Sequence, residues 1–254
     1  MSTILLTNDD GVESEGIHAL AAALRPFGRV IVCAPVGEAS AIGHALTLAR
    51  PLRLRDVGPD VHAVDGTPAD CVNIAVAAVL GGRLPDLVIS GINKGWNVGD
   101  DVTYSGTIGG ALEGLLMGVP AVAVSMQRGA VYDFTHAAAA GASVAGEVLA
   151  HGLPPRVLLN VNVPQGIPTG WATTVQAART HTTNVLRRDD PWGRPYFWLD
   201  EGRMEWAAGG DTDYEAVRAG LISVTPLHAD LTAHAAVAGT AALVARASVR
   251  GQAL

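Results

Sequence analysis

The chain has 254 residues, enough for one large α/β domain or a domain with appendages, and it is 49% hydrophobic and only 16% charged. Its formal net charge is −7, from 17 Lys+Arg against 24 Asp+Glu, and its basic residues form no dense cluster. A long nucleic acid or an anionic membrane is therefore excluded as the expected partner, while a small phosphorylated ligand held at one site is not.

Few aromatics, 30 glycines and many apolar residues suit a parallel sheet buried on both faces, whose strands read as near-continuous apolar runs. The two cysteines, Cys33 and Cys71, fall inside apolar segments and read as buried thiols, not as a disulfide framework. Residues 1–7 lack the basic and long apolar regions of a signal peptide, and no uncharged apolar run reaches the roughly 18 residues of a membrane span. The expectation is a soluble, cytoplasmic protein.

The first element, residues 4–11 (ILLTNDDG), is an apolar strand that ends in an Asx-rich turn closed by Gly11. Helical spacing follows, with Ile17, Leu20, Leu24 and Phe27 on one face, stopped by Pro26 and Gly28. In a strand–turn–helix unit the turn lies beyond the carboxyl end of the strand, where open α/β sheets bind ligands. Asp9 and Asp10 repel one another there, and a bound cation is one reason to keep both. An Asx turn that caps the helix accounts for the octapeptide equally well.

Residues 29–35 form a second buried strand, followed by the small-residue loop 36–44. Ser40 carries a hydroxyl able to face a ligand from that loop, although a loop serine is usually a turn residue. Two short strands are predicted at 52–55 and 61–64. Thr67, Pro68 and Asp70 then open a helix as N-cap, N1 and N3, which gives Asp70 a structural role. The next strand is predicted at 86–90, and residues 90–101 (SGINKGWNVGDD) read as a long Gly-rich loop of the kind that carries function. Tyr104, Ser105, Gly106 and Thr107 begin a helix whose free amides and hydroxyls make an anion cradle, and Ser105 is equally an N-cap.

A strand at 120–125, a helix striped by Phe134, Ala137, Gly141, Val144 and Val148, and a strand at 157–163 continue the alternation, which argues for a doubly wound, mostly parallel Rossmann-like sheet. After residue 170 the character changes. Trp192, Tyr196, Phe197, Trp198 and Trp206 crowd into residues 192–206 and suggest an arm or hairpin used as a subunit contact or lid. A short helix at 212–219, a late strand at 221–225 and an Ala-rich tail helix at 232–249 complete the chain. The expected organisation is a core of residues 1–170 and a C-terminal extension, 171–254, that serves oligomerisation and is not independently folded.

Four loops at strand ends thus offer oxygen and amide donors: Asp9 and Asp10, Ser40, the segment Asn93 to Asn97, and Ser105 to Thr107. This set suits Mg²⁺, Mn²⁺ or Ca²⁺ better than a thiolate zinc site. A hard cation beside an anion-binding helix start is equipment for phosphate-ester hydrolysis. There is no GxGxxG after the first strand, no GxxxxGK[ST], no GxSxG and no Asp-x-Asp at the first strand, so dinucleotide redox, acyl transfer and aspartyl-phosphate chemistry are disfavoured.

The motifs at 7–11 (TNDDG), 34–40, 65–71 (DGTPADC), 90–97 (SGINKGWN) and 104–110 (YSGTIGG), with Thr212-Asp213 and 223–227 (SVTPL), resemble the SurE family of stationary-phase survival proteins. The segments around Ser14-Glu15 and 36–44 are the looser matches. The resemblance implies a Rossmann-like core, dimer or tetramer assembly through the C-terminal part, and metal-dependent 5′/3′-nucleotidase activity with short polyphosphate as a further substrate. It implies that Asp9, Asp10, Ser40 and Asn93 bind one divalent metal per subunit, Mg²⁺ or Mn²⁺, with Asp9 and Asp10 catalytic. It also implies that Asn97, Ser105, Gly106 and Thr107 line the phosphate pocket. His44 reads as a loop-ordering residue, and Lys94 as either a phosphate screen or a solvated charge. A non-catalytic, metal-dependent nucleotide sensor would need the same ligands.

Overall fold

In β1 (Ser2–Thr7), Ile4 and Leu6 pack into one apolar cluster and Leu5 into another, because successive side chains of a strand point to opposite faces. Both faces must then be covered by helices. The computed structural model describes residues 1–207 and 209–251 and shows how this is done. After β1 come α1 (Glu15–Leu24), β2 (Gly28–Pro35), β3 (Leu54–Gly58), β4 (Val61–Val64) and α2 (Pro68–Ile74). Next are β5 (Leu87–Lys94), α3 (Gly106–Leu116), β6 (Ala121–Met126), α4 (Thr135–His151), β7 (Val157–Val163) and β8 (Gly170–Thr173). The chain ends with β9 (Arg179–Asp189), β10 (Pro195–Trp206), α5 (Asp213–Arg218), β11 (Leu221–His228) and α6 (Val237–Gly251). Helices α1 and α4 cover the Ile4 and Leu6 face through Ile17, Leu20, Leu24, Ala137 and Val148. Helices α2 and α3 cover the Leu5 face through Cys71, Val72, Ile108, Ala111 and Leu115.

The sheet has nine strands in the order β3-β4-β2-β1-β5-β6-β7-β11-β8. Strands β4, β2, β1, β5, β6 and β7 are mutually parallel, β3 pairs antiparallel with β4, and β11 pairs antiparallel with β7 and parallel with β8. This is the mostly parallel α/β fold expected from the sequence. From β1 the chain runs outward to β2, then returns so that β5 lies on the other side of β1. The order of strands reverses there, which opens a crevice beyond the carboxyl ends of β1 and β5.

Two local readings change. The predicted strand at 86–90 does not stop at Ser90: around the cis Gly91–Ile92 peptide the pairing slips, and Asn93 and Lys94 then lie opposite Ser125 and Met126 of β6. A strand end, not the predicted Gly-rich loop, therefore delivers Asn93. Beyond residue 170, β8 and β11 complete the central sheet, whereas β9 and β10 form a separate two-stranded hairpin. The hairpin root is tied down at Asp213. Its fully buried carboxylate accepts the backbone N–H groups of Gly99 (2.9 Å), Ala177 (2.9 Å) and Tyr214 (2.8 Å). Trp206 stacks on Tyr214 with ring centroids 4.1 Å apart.

Candidate active site

The turn after β1 is shaped by Asn8. Its side-chain amide donates to the Gly11 carbonyl (2.9 Å) and accepts from the Gly11 N–H (3.2 Å), which closes the loop on itself. Gly11 takes φ = +97°, a conformation that favours glycine. The clip fixes Asp9 and Asp10 at the tip of the turn, in the crevice between β1 and β5. Loop 36–44 is pinned over them by the Ala39 N–H, which donates to the Asp9 carbonyl (2.8 Å).

Asp9 is 5% exposed, and the one side-chain hydrogen bond to its carboxyl comes from the Thr107 hydroxyl, at 2.5 Å from Oδ1. Burial, reinforced by the charge of Asp10, pushes its pKa up to about 6 against the opposing pull of Thr107. Burial also raises Asp10, opposed by the Lys94 N–H, which donates to its Oδ2 at 3.2 Å. Two carboxyls held out of water with so few donors are costly as a pair of anions and well suited to a cation.

The start of α3 is divided between two tasks. The Thr107 amide faces Asp9, and the Ile108 N–H is capped by Ser105 Oγ at 3.1 Å. Among the described residues the Gly106 N–H has no partner. A Cβ on Gly106 would lie 2.8 Å from the Asp9 Cβ and 2.9 Å from its Oδ2, so this glycine is what allows α3 to approach the carboxylate. The anion in the predicted cradle is in part the protein's own Asp9. Thr107, fully buried, supports Asp9, and neither it nor the buried Gly106 lines the cleft wall, whereas Ser105 does.

The remaining predicted residues converge on one cleft of about 1050 Å³, lined by Asp9, Asp10, Ser40, Asn93, Asn97 and Ser105. Ser40 is exposed and donates to Glu38 Oε1 at 2.7 Å. Asn93 donates through Nδ2 to the Gly95 carbonyl (2.8 Å), which leaves its Oδ1 as the open atom. Asn97 is buried and firmly held. Its N–H donates to Asn162 Oδ1 (2.7 Å), its carbonyl accepts from Asn160 (2.8 Å) and Asn162 (3.0 Å), and its Nδ2 donates to Ser125 (2.8 Å). His44 is bonded to Glu113 (2.6 Å), which in turn accepts from Asn73 (2.8 Å), so it orders its loop.

The cleft wall also includes Glu38, Arg128, Tyr132, Arg179 and Tyr214, which sequence reasoning did not single out, and Trp206, which it placed in the aromatic arm. Arg179 pairs with Asp101 and lies over Trp206, which locks the hairpin root against the loop after β5. Among the described residues no group of three or more His, Cys, Asp or Glu side chains is placed to hold a metal ion by itself. The predicted donors are two carboxylates, a hydroxyl and an amide oxygen, a chemistry that fits a hard divalent cation.

Comparison with known proteins points to one family. Residues 4–188 match the family model described as survival protein SurE. Among curated proteins, the 5′-nucleotidase SurE of Geobacter metallireducens is 49% identical over 239 residues, covering 92% of this chain and 94% of that protein. That of Syntrophotalea carbinolica is 50% identical over 231 residues, covering 90% and 92%. The crystal structure of the SurE protein from Aquifex aeolicus superposes with a TM-score of 0.85 at 42% identity, covering 95% of this chain and 99% of that one.

Proposed function

The chain belongs to the SurE family, and on that premise we propose that it is a divalent-metal-dependent phosphomonoesterase hydrolysing nucleoside 5′- and 3′-monophosphates to nucleoside and phosphate, with short polyphosphate as a further substrate. The observation that carries this reading is the Asp9–Asp10 pair. Two neighbouring carboxyls, one almost sealed from water, sit at the switch point of the sheet in a cleft large enough for a nucleotide.

Asp9, Asp10, Ser40 and Asn93 would hold one Mg²⁺ or Mn²⁺ per subunit, which supplies charge neutralisation at the phosphoryl oxygens and acidifies a bound water. The Ser105 hydroxyl and the open Gly106 N–H donate to the phosphate, and Asn97 shapes the wall beside them. Thr107 keeps Asp9 oriented. Asp10, the more accessible carboxyl, accepts the proton of the attacking water as the new P–O bond forms and the ester P–O bond breaks on the opposite side, where the departing nucleoside oxygen takes a proton from solvent water.

The same reading includes a cytoplasmic location, supported by two free, buried thiols that suit a reducing compartment. Among the described residues no helix is long and apolar enough to cross a membrane. It also includes a homodimer or homotetramer built on β9–β10 and α6, supported by the exposure of Trp192, Phe197, Trp198, Leu199, Leu243 and Val244.

The test is phosphate release from a panel of nucleoside monophosphates, after EDTA and then with Mn²⁺ or Mg²⁺ restored. Turnover is expected to return with metal and to fall by about a thousandfold or more in Asp10→Asn. Metal-dependent nucleotide binding without phosphate release would replace the enzyme by a sensor.

A further inference from the structure

Among the described residues, two cations of the cleft, Lys94 and Arg128, have no ion-pair partner, and both stand near Asp10. Lys94 closes β5 one residue beyond Asn93, and its own N–H donates to Asp10 Oδ2 at 3.2 Å. Its ammonium lies 5.6 Å from the ring centroid of Tyr132, and Tyr132 in turn stacks on Phe134, 7% exposed, at 6.0 Å and 14°. A cation braced over an aromatic face keeps its position on the wall instead of trailing into solvent. Arg128 follows β6, and its guanidinium passes over Gly95. A Cβ on Gly95 would be 3.8 Å from Nη2, 3.9 Å from Nε and 3.7 Å from Asn93 Nδ2. The bare Gly95 backbone is thus the space between the Asn93 amide and the arginine.

Charge balance gives these two residues a task. Asp9 and Asp10 carry two negative charges when ionised, which one divalent cation neutralises. A phosphate monoester brings about 1.5 to 2 more, and the neutral donors Ser105 and Gly106 do not offset them. Arg179, the third cation of the wall, is engaged with Asp101. Lys94 and Arg128 remain.

We propose that Lys94 and Arg128 form the cationic half of the phosphate receptor, gripping the non-bridging oxygens of the substrate's phosphoryl group. The assignment rests on the phosphomonoesterase reading above. Lys94 supplies a point charge fixed by Tyr132, and Arg128 supplies a planar fork able to contact two phosphate oxygens.

The experiment measures binding of inorganic phosphate to the Mn²⁺-loaded protein by calorimetry, with Mn²⁺ affinity and adenosine affinity measured alongside. Lys94→Gln and Arg128→Gln are each expected to weaken phosphate binding about tenfold to a hundredfold while leaving Mn²⁺ and adenosine affinity within about twofold. Lys94→Arg is expected to retain most of the affinity, and Arg128→Lys, which keeps the charge and loses the fork, is expected to fall between the wild type and Arg128→Gln. Tyr132→Leu, which leaves both charges in place and removes the brace, is expected to cost about threefold to fivefold. Unchanged phosphate affinity in the double glutamine variant overturns the proposal. So does a parallel fall in adenosine and Mn²⁺ affinity, which would mark the two residues as structural. Because phosphate binding is read without turnover, a wild-type protein that binds phosphate through these residues and releases none from nucleotides would refute the proposed activity and leave the receptor standing. Normal hydrolysis by the double variant would do the reverse.

Discussion

Asp9, at the end of β1, and Asp213, at the start of α5, are both almost sealed from solvent, 5% and 0% exposed, and burial raises the pKa of each. Their surroundings differ. Three backbone N–H groups from three separate segments converge on Asp213, so that this carboxyl joins the loop after β5, the root of the hairpin and α5. Asp9 has one side-chain donor, the Thr107 hydroxyl, with only the Thr107 amide and its own amide to help, and a second carboxyl, Asp10, for a neighbour. A buried carboxylate that satisfies several orphan amides is a structural joint. One left short of donors beside a like charge is the mark of a site completed by something the chain does not contain.

The largest effect that tests this contrast is expected at Asp213. Asp213→Ala leaves three buried amides without acceptors and should destabilise the protein by about 3–5 kcal/mol in urea unfolding. A loss below about 1 kcal/mol would remove the distinction between the two carboxyls.

Asp9 should behave in the opposite sense. Its folded pKa of about 6 lies above the ordinary value of 3.8, so its contribution to stability is fully present below that value and is lost as pH rises through about 6. Metal-free protein should therefore lose about 2–3 kcal/mol between pH 4 and pH 7 from this group. Asp9→Asn should recover much of that loss at pH 8 while abolishing phosphate release. A variant less stable than the wild type at pH 8, both metal-free, would make Asp9 a joint like Asp213.

The smallest effect is expected at Thr107. Thr107→Val removes the hydroxyl that favours the Asp9 anion, and should raise the Asp9 pKa by a further unit, about 1 kcal/mol. The pH below which Mn²⁺ binding fails should move up accordingly in metal titrations at pH 5 to 8. An unchanged pH dependence would mean that the 2.5 Å contact has no influence on the carboxyl.

Much of the local chemistry was legible in the residues themselves. The Asn8–Gly11 turn, the Ser105 cap of α3 and the Thr67–Asp70 capping box are made by side chains that bond to backbone within three residues, so spacing alone encodes them. Alternating apolar strands and helices encoded the layered sheet in the same way. The extra length of β5 was not legible, because the Gly-rich sequence 90–95 signals a loop until β6 lies beside it and offers hydrogen bonds. Nor was the real use of Thr107, which bonds to a carboxyl 98 residues away in sequence.

By itself, then, the sequence determined the turns, caps and apolar faces of this protein, and with them the donors it holds at its strand ends. The tertiary structure alone decided that β5 returns beside β1, that α3 aims its first turn at Asp9, and that Lys94 and Arg128 stand near Asp10 without ion-pair partners of their own among the described residues. Short-range bonds follow from neighbours along the chain. Pairing across the sheet follows from which strands share a core, and no local periodicity specifies that.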